Sequence, residues 1–209
     1  MISHALTIVA NELNAFLADA FSATTPQAKL GNIAEGFASG AGGTGLARDQ
    51  VYLSIVNLKE EKTLKNVPNY VRNDATLRVS YENPPVFLNF MVLFTSAYSE
   101  YTNALLMLSR VIRFFQTRNT FDQDSVAPTS ITDGSPVNDA DKLETFKLTF
   151  DLYSPTMEEV NYLWATLGGK QYPFVLYVLR MLDLKYKAIS HESGLITEVV
   201  GDFFQKSPV

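Results

Sequence analysis

The sequence predicts a mixed α/β (α+β) fold, a four-stranded mixed or antiparallel sheet with helices packed on it. Three observations carry that prediction. From Val86 to Phe94 the chain is apolar on both alternating faces, with only Asn89 interrupting, as in a strand covered on both sides. After Thr95-Ser96 the period changes, and Tyr98, Tyr101, Leu105, Leu108, Ile112 and Phe115 recur at spacings of three and four, with Ala97, Ala104 and Val111 beside them. A buried strand therefore feeds a long amphipathic helix. Finally, 209 residues with 46% hydrophobic and 12% aromatic content suffice for one sizeable core, with no staple needed.

In chain order, Ile2, Leu6, Val9, Leu13, Phe16, Leu17 and Phe21 share one helical face, opposite Ser3, Thr7, Asn11, Asn14 and Asp19, and Pro26 is expected to end this helix. Its polar face has no Lys or Arg, so packing on a sheet explains it better than a membrane surface does. The stretch from Thr24 to Arg48 is small, polar and Gly-rich, a mobile loop by default. No Lys follows its glycines, so it lacks the phosphate-cradling pattern. Val51–Leu58 reads as a second two-sided strand, and Asn66–Asn83 as a polar hairpin or loop. Asn119–Asp141 holds aspartates 122, 124, 133, 139 and 141 and reads as an acidic surface loop; Ala127-Pro128 breaks the spacing a calcium loop needs. Leu143–Leu152 alternates as a half-exposed strand. Ser154-Pro155 is expected to start a helix with Glu158 and Glu159 in its first turn, burying Val160, Leu163, Trp164 and Leu167 and stopping at Gly168-Gly169. Phe174–Leu184 forms the last strand, and from Ile189 the chain turns polar. The strand-helix-strand from Leu143 to Leu184 would be a right-handed crossover if its strands were parallel.

Composition excludes several function classes. There is no cysteine, so disulfides and thiolate metal sites are out, and a net charge of −5 provides no field for nucleic acid. No apolar run reaches the length of a membrane span. The N-terminal stretch lacks a basic n-region and carries Glu12 and Asn14 where a signal peptide is apolar, so cytoplasmic assembly without a signal peptide is expected. His4 and His191 stand alone in terminal segments, and adjacent Ser190-His191-Glu192 cannot make triad geometry. Glu60 and Glu61 point apart if they end a strand. Arg180 suits an anion, a carboxylate partner or a snorkelled head equally. No catalytic, cofactor-binding or metal-binding residue is assigned, and the chain reads as a non-enzyme.

Three ordered stretches carry a resemblance: VYLSIVNLKEEKTLKN (Val51–Asn66), PPVFLNFMVLFTSAYSEYTNALLMLSRVIRFFQ (Pro84–Gln116) and EEVNYLWATLGGKQYPFVLYVLR (Glu158–Arg180). They resemble the N-terminal domain of the tube-terminator, or cap, proteins of extracellular contractile injection systems, phage-tail-like particles such as the Photorhabdus virulence cassettes and the anti-feeding prophage. The chain departs from that pattern in its Gly-rich 40–45 stretch and its short C-terminal tail. The resemblance implies a phage tail-terminator-like domain over 1–189 and a tail or arm over 190–209. It implies a homo-hexameric ring on the distal end of the inner tube, with the inner tube protein and the sheath protein as partners, in a particle that is released from the cell. Alternatives are another, baseplate-proximal subunit of such a particle, or a stand-alone ligand-binding domain. Leu106, with Arg110 and Arg113 on the polar arc of the long helix, is the candidate subunit interface. Leu195, Ile196, Val199, Val200, Phe203 and Phe204 are the candidate arm, a short β-prone run suited to adding a strand to a neighbour. The Gly-rich 36–48 and acidic 122–141 loops are candidate particle contacts.

Overall fold

The structure, a computed structural model, describes residues 1–38, 44–63, 70–83, 86–184, 189–194 and 198. The chain divides into two compact units, Met1–Lys62 with Val86–Leu184, and Thr63–Pro85 with Lys185–Val209.

The first unit is built on strands β1 (Ala28–Leu30), β2 (Val51–Glu60), β5 (Val86–Ser96), β6 (Thr120–Asp122), β7 (Lys147–Tyr153) and β8 (Phe174–Leu184). Their order in the sheet is β1-β2-β5-β8-β7-β6, antiparallel throughout except for the parallel β1/β2 pair. The mixed class expected from the sequence holds, with six strands rather than four in this sheet. β7 and β8 are antiparallel, so the segment between them is no crossover. Register shifts at Ile55/Asn57 and Leu88/Phe90 interrupt the two central ladders.

Helices α1 (Ile2–Phe21) and α2 (Tyr101–Thr117) cover one face. α1 ends before Pro26, at Phe21, where Ser22 takes a left-handed φ of 53°. Phe16 meets Phe114 at 5.5 Å, and the Arg110 guanidinium lies 4.3 Å over the Phe21 ring, so α1 runs alongside α2. The core between helices and sheet is strongly aromatic. Phe115 packs on Tyr177 at 4.3 Å, on Phe150 at 5.0 Å and on Phe94 at 5.1 Å, while Phe114 stacks on Phe121 at 5.4 Å. Such pairs add to their area burial by about 1 kcal/mol each.

α2 turns a different side to this core than its periodicity suggested. Ala104, Met107, Val111, Phe114 and Phe115 are buried, whereas Tyr101, Leu105 and Ile112 are exposed. Its apolar arc is wider than one face, and the small Ala104 and Val111 allow the closer approach to the sheet.

On the other sheet face, α4 (Met157–Thr166) closes a smaller cluster around Trp164, Tyr52, Ile33 and Ala97. The helix starts later than Ser154-Pro155. Thr156 is the N-cap, because its hydroxyl accepts from the Glu159 N–H while the Glu159 carboxylate accepts from the Thr156 N–H. Gly168 and Gly169 stop it at φ of 98° and 77°, and the Gly169 N–H returns to the Trp164 carbonyl at 2.7 Å. A short α3 (Pro128–Thr132) lies in the stretch expected to be an acidic loop and packs on α1.

Of the second unit, the described residues form a three-stranded antiparallel sheet, β3 (Tyr70–Asn73), β4 (Arg78–Glu82) and β9 (Ile189–Gly194), in the order β3-β4-β9. The polar stretch before Pro84 is thus a hairpin. At its turn Asn73 Oδ1 accepts from the Ala75 and Thr76 N–H groups. β9 lies in a polar stretch with no periodicity to mark a regular element.

Candidate assembly surfaces

Of the groups the sequence offers for chemistry, those described are held by neighbours within the fold. His4 is buried on α1; the Leu143 N–H donates to its Nδ1 at 2.9 Å, so the ring proton sits on Nε2, 2.9 Å from the Ile131 carbonyl. The side chain of His191 lies outside the described residues. Arg180 pairs with Asp151, Nε to Oδ2 at 2.5 Å. Glu61 accepts from the Asn89 side-chain amide at 3.0 Å. Asp122 accepts the Ser125 N–H at 2.8 Å, and hydrogen bonds from Ser125 hold its carboxyl below the usual range. Asp139 pairs with Lys142 at 2.7 Å, which lowers its carboxyl likewise. Among the described residues no three His, Asp or Glu side chains converge as metal ligands.

What remains is surface. Leu106 is 50% exposed on the outward side of α2, and Arg110 and Arg113 lie beside it over the Phe21 ring. The three share one side of the helix, as their spacing requires. The arm candidates Leu195, Ile196, Val199, Val200, Phe203 and Phe204 lie outside the described residues. So do residues 39–43 of the Gly-rich stretch; its remainder holds β1, a short 3-10 turn (Ile33–Glu35) and a bridge between Phe37 and Leu46.

The sequence reading missed two concavities of the first unit. One, of about 400 Å³, lies among α1, β1 and α3. Asn14 shapes it. Its Oδ1 accepts from the Gln27 and Ala28 N–H groups at 2.8 Å each, and its Nδ2 donates to the Ala28 carbonyl at 2.9 Å, sealing part of the free edge of β1. Asn11 Nδ2 bonds the Ser130 and Asp133 carbonyls and ties α3 to α1. The only sequence signal was a pair of asparagines three positions apart on the polar side of the first helix. The other concavity, about 360 Å³, lies on the opposite sheet face among Lys59, Glu61, Asn89, Met91, Tyr153 and Arg180. Its rim is an ion pair and two engaged carboxylates, Glu61 with Asn89 and Glu159 with the Tyr153 hydroxyl at 2.8 Å.

The Pvc16 N-terminal domain family model matches residues 4–198. No curated protein matches. Among solved structures, the sheath/tube terminator of PVC, an extracellular contractile injection system, in its extended state is 13% identical. The likeness covers 97% of this chain and 64% of that one, with a TM-score of 0.61. The tube-terminating cap of the anti-feeding prophage is 12% identical over 93% of this chain and 60% of that one, with a TM-score of 0.55. The chain thus spans less than two thirds of the length of either, and at these identities the likeness is one of fold.

Proposed function

The chain belongs to the Pvc16 N-terminal domain family, and from that premise we propose that it caps a contractile injection system. As a homo-hexameric ring on the distal end of the inner tube it ends tube polymerisation and joins the tube to the last sheath layer. The family match across residues 4–198 carries this reading, supported by a fold shared with a sheath/tube terminator and a tube-terminating cap. The role is structural and asks no bond-making of the chain. Assembly takes place in the cytoplasm, before the particle is released. The inner tube protein and the sheath protein are its partners, with Leu106, Arg110 and Arg113 contacting a neighbouring subunit. Residues 1–189 act as the terminator domain; of the 190–209 tail, the part up to Gly194 stays on β4 as β9, and the part beyond it acts as the arm, with Leu195 to Phe204 pairing with the next subunit or the last sheath layer.

Cryo-EM of particles from cells lacking this chain tests the reading. Tubes of unbounded length with detached sheaths are expected, and uniform particles of normal length would refute it. Labelling of the chain at the baseplate end would favour the baseplate-proximal alternative. Truncation from Ser193 onward tests the arm: a subunit that folds yet yields sheath-detached particles supports it, and one that unfolds returns the segment to the fold. If Leu106→Asp leaves hexamers unchanged by native mass spectrometry, Leu106 is no subunit contact.

A further inference from the structure

We propose that the segment from Ala127 to Leu143 is an acid-released strap, latched to α1 at both ends by side chains that hold it only when deprotonated.

His4, Asn11 and Glu12 of α1 all bond the backbone of this segment. At one end Glu12 Oε1 accepts the Ala127 N–H at 3.1 Å, and at the other His4 Nδ1 accepts the Leu143 N–H at 2.9 Å. Between them Asn11 Nδ2 donates to the Ser130 and Asp133 carbonyls, and His4 Nε2 to the Ile131 carbonyl at 2.9 Å. The two titratable residues are themselves buried, 1% and 8% exposed. Of residues 127–143 only Ser130 and Leu143 are buried, with Ile131 partly so, and few apolar contacts back up the hydrogen bonds.

A neutral imidazole has one proton and one acceptor nitrogen. With its proton turned to Ile131, the only place for a second is Nδ1, where the Leu143 N–H already sits. The charged ring sets two donors face to face and leaves the buried Leu143 N–H without an acceptor. A protonated Glu12 likewise loses the charge that holds Arg118 and strengthens the bond to Ala127.

The charged groups about these bonds are few. Arg118 meets Glu12 from the end of α2, and in the turn after β6 Asp122 is held by Ser125 while Asp124 is exposed. α3 has no charged residue, and Asp133 after it is exposed. Near Leu143 the Met1 ammonium donates to the Asp141 carbonyl, Asp139 pairs with Lys142, and Asp141 and Glu144 are exposed. Both latches are closed at neutral pH and open as the pH falls. The His4 end opens first, since histidine ordinarily takes its proton above about pH 5 and glutamate nearer about pH 4. The strap is part of the 122–141 stretch expected to contact the particle, so its release in acid loosens that contact.

Amide exchange of the full chain, followed by NMR, tests the latch; protection factors divide out the intrinsic pH dependence of exchange. Between about pH 7 and about pH 5 the Leu143 amide is expected to lose protection by about ten-fold or more. The Ala127 amide is expected to follow nearer about pH 4, while the amides of β5 and β8 keep theirs. His4→Asn, whose Oδ1 accepts the Leu143 N–H but takes no proton, is expected to hold that amide through the histidine range. If this variant does not fold, the wild type decides alone. Nitrogen NMR of its His4 ring is expected to show the Nε2–H tautomer at neutral pH and protonation together with the loss of Leu143 protection. A Leu143 amide that stays protected to about pH 5, or is lost only together with β5 and β8, overturns the proposal. So does a ring that takes its proton while Leu143 stays protected, or the same acid response in a folded His4→Asn.

Discussion

Glu12 is an acidic residue in the buried part of a helix, 8% exposed, and its neighbours explain how it is tolerated there. Its carboxylate pairs with Arg118 and accepts the Ala127 N–H at 3.1 Å. Arg118 in turn lies 4.6 Å over the Phe121 ring and donates to the Ser125 carbonyl at 2.5 Å. One charge pair thus ties α1, the end of α2 and the turn after β6 together. Removing one partner leaves the other charge poorly solvated, so Arg118→Ala is expected to cost about 3 kcal/mol in urea denaturation. Glu12→Gln with Arg118→Met is expected to cost less, because no charge is left behind. Trp164, 4% exposed, rests against Phe174 at 5.4 Å and Tyr172 at 6.1 Å. Trp164→Ala is expected to cost about 3–5 kcal/mol. Its Nε1 finds no hydrogen-bond partner among the described residues. Trp164→Phe is therefore expected to cost much less than alanine, and equal losses would contradict a packing role.

At the scale of elements, α4 shows what a local signal can specify. The Glu159 carboxyl is held below its ordinary value by the Thr156 N–H first, then by the Tyr153 hydroxyl. A depressed carboxyl contributes stability that is full above its unfolded value of 4.5 and is lost as the pH falls through its folded value. The Tm gap between wild type and Glu159→Ala is therefore expected to be largest at neutral pH and to close in acid. Thermal melts across that range check it; a gap that widens in acid would contradict the capping role. The Thr-x-x-Glu spacing was readable in the sequence, but the adjacent Ser-Pro offered a rival cap, and only the reciprocal bonds decide between them. Phe174–Leu184 was legible end to end because its alternating positions are apolar on both faces, with only Arg180 and Asp183 interrupting. β1 and β6 were not, since three residues have no period, and what holds Ala28 is Asn14, from a different element. The inward side of α2 was misread for a related reason. Two overlapping apolar stripes fit the same helix, and the sheet selects the one that sets Met107, Phe114 and Phe115 beside the small Ala104 and Val111. The stripe of Tyr101, Leu105 and Ile112 that stays exposed is one that periodicity alone reads as core.

Across the molecule, apolar burial is unevenly divided. The first unit buries the aromatic cluster around Phe94, Phe115 and Tyr177, and burial pushes the Tyr177 hydroxyl up to about 12. In the second unit every residue of β3 is exposed, Tyr70 and Val71 about half so, and the Arg78–Glu192 pair at 3.2 Å is exposed on both sides. Surface pairs of this kind stabilise little, and a small sheet whose outer strand β3 is exposed along its whole length is marginal. Native-state hydrogen exchange of the free subunit is therefore expected to follow two regimes. Amides of β5 and β8 exchange only through global unfolding, while those of β3 and β4 exchange through local opening several kcal/mol below it. The Gly-rich 36–48 and acidic 122–141 loops supply a further comparison, since the surfaces that meet tube and sheath are expected to come from them. Protection in at least one of these loops rises only in the assembled particle. Equal protection in free and assembled protein at both loops would move the particle contacts elsewhere, onto the sheet face that carries Lys59 and Arg180.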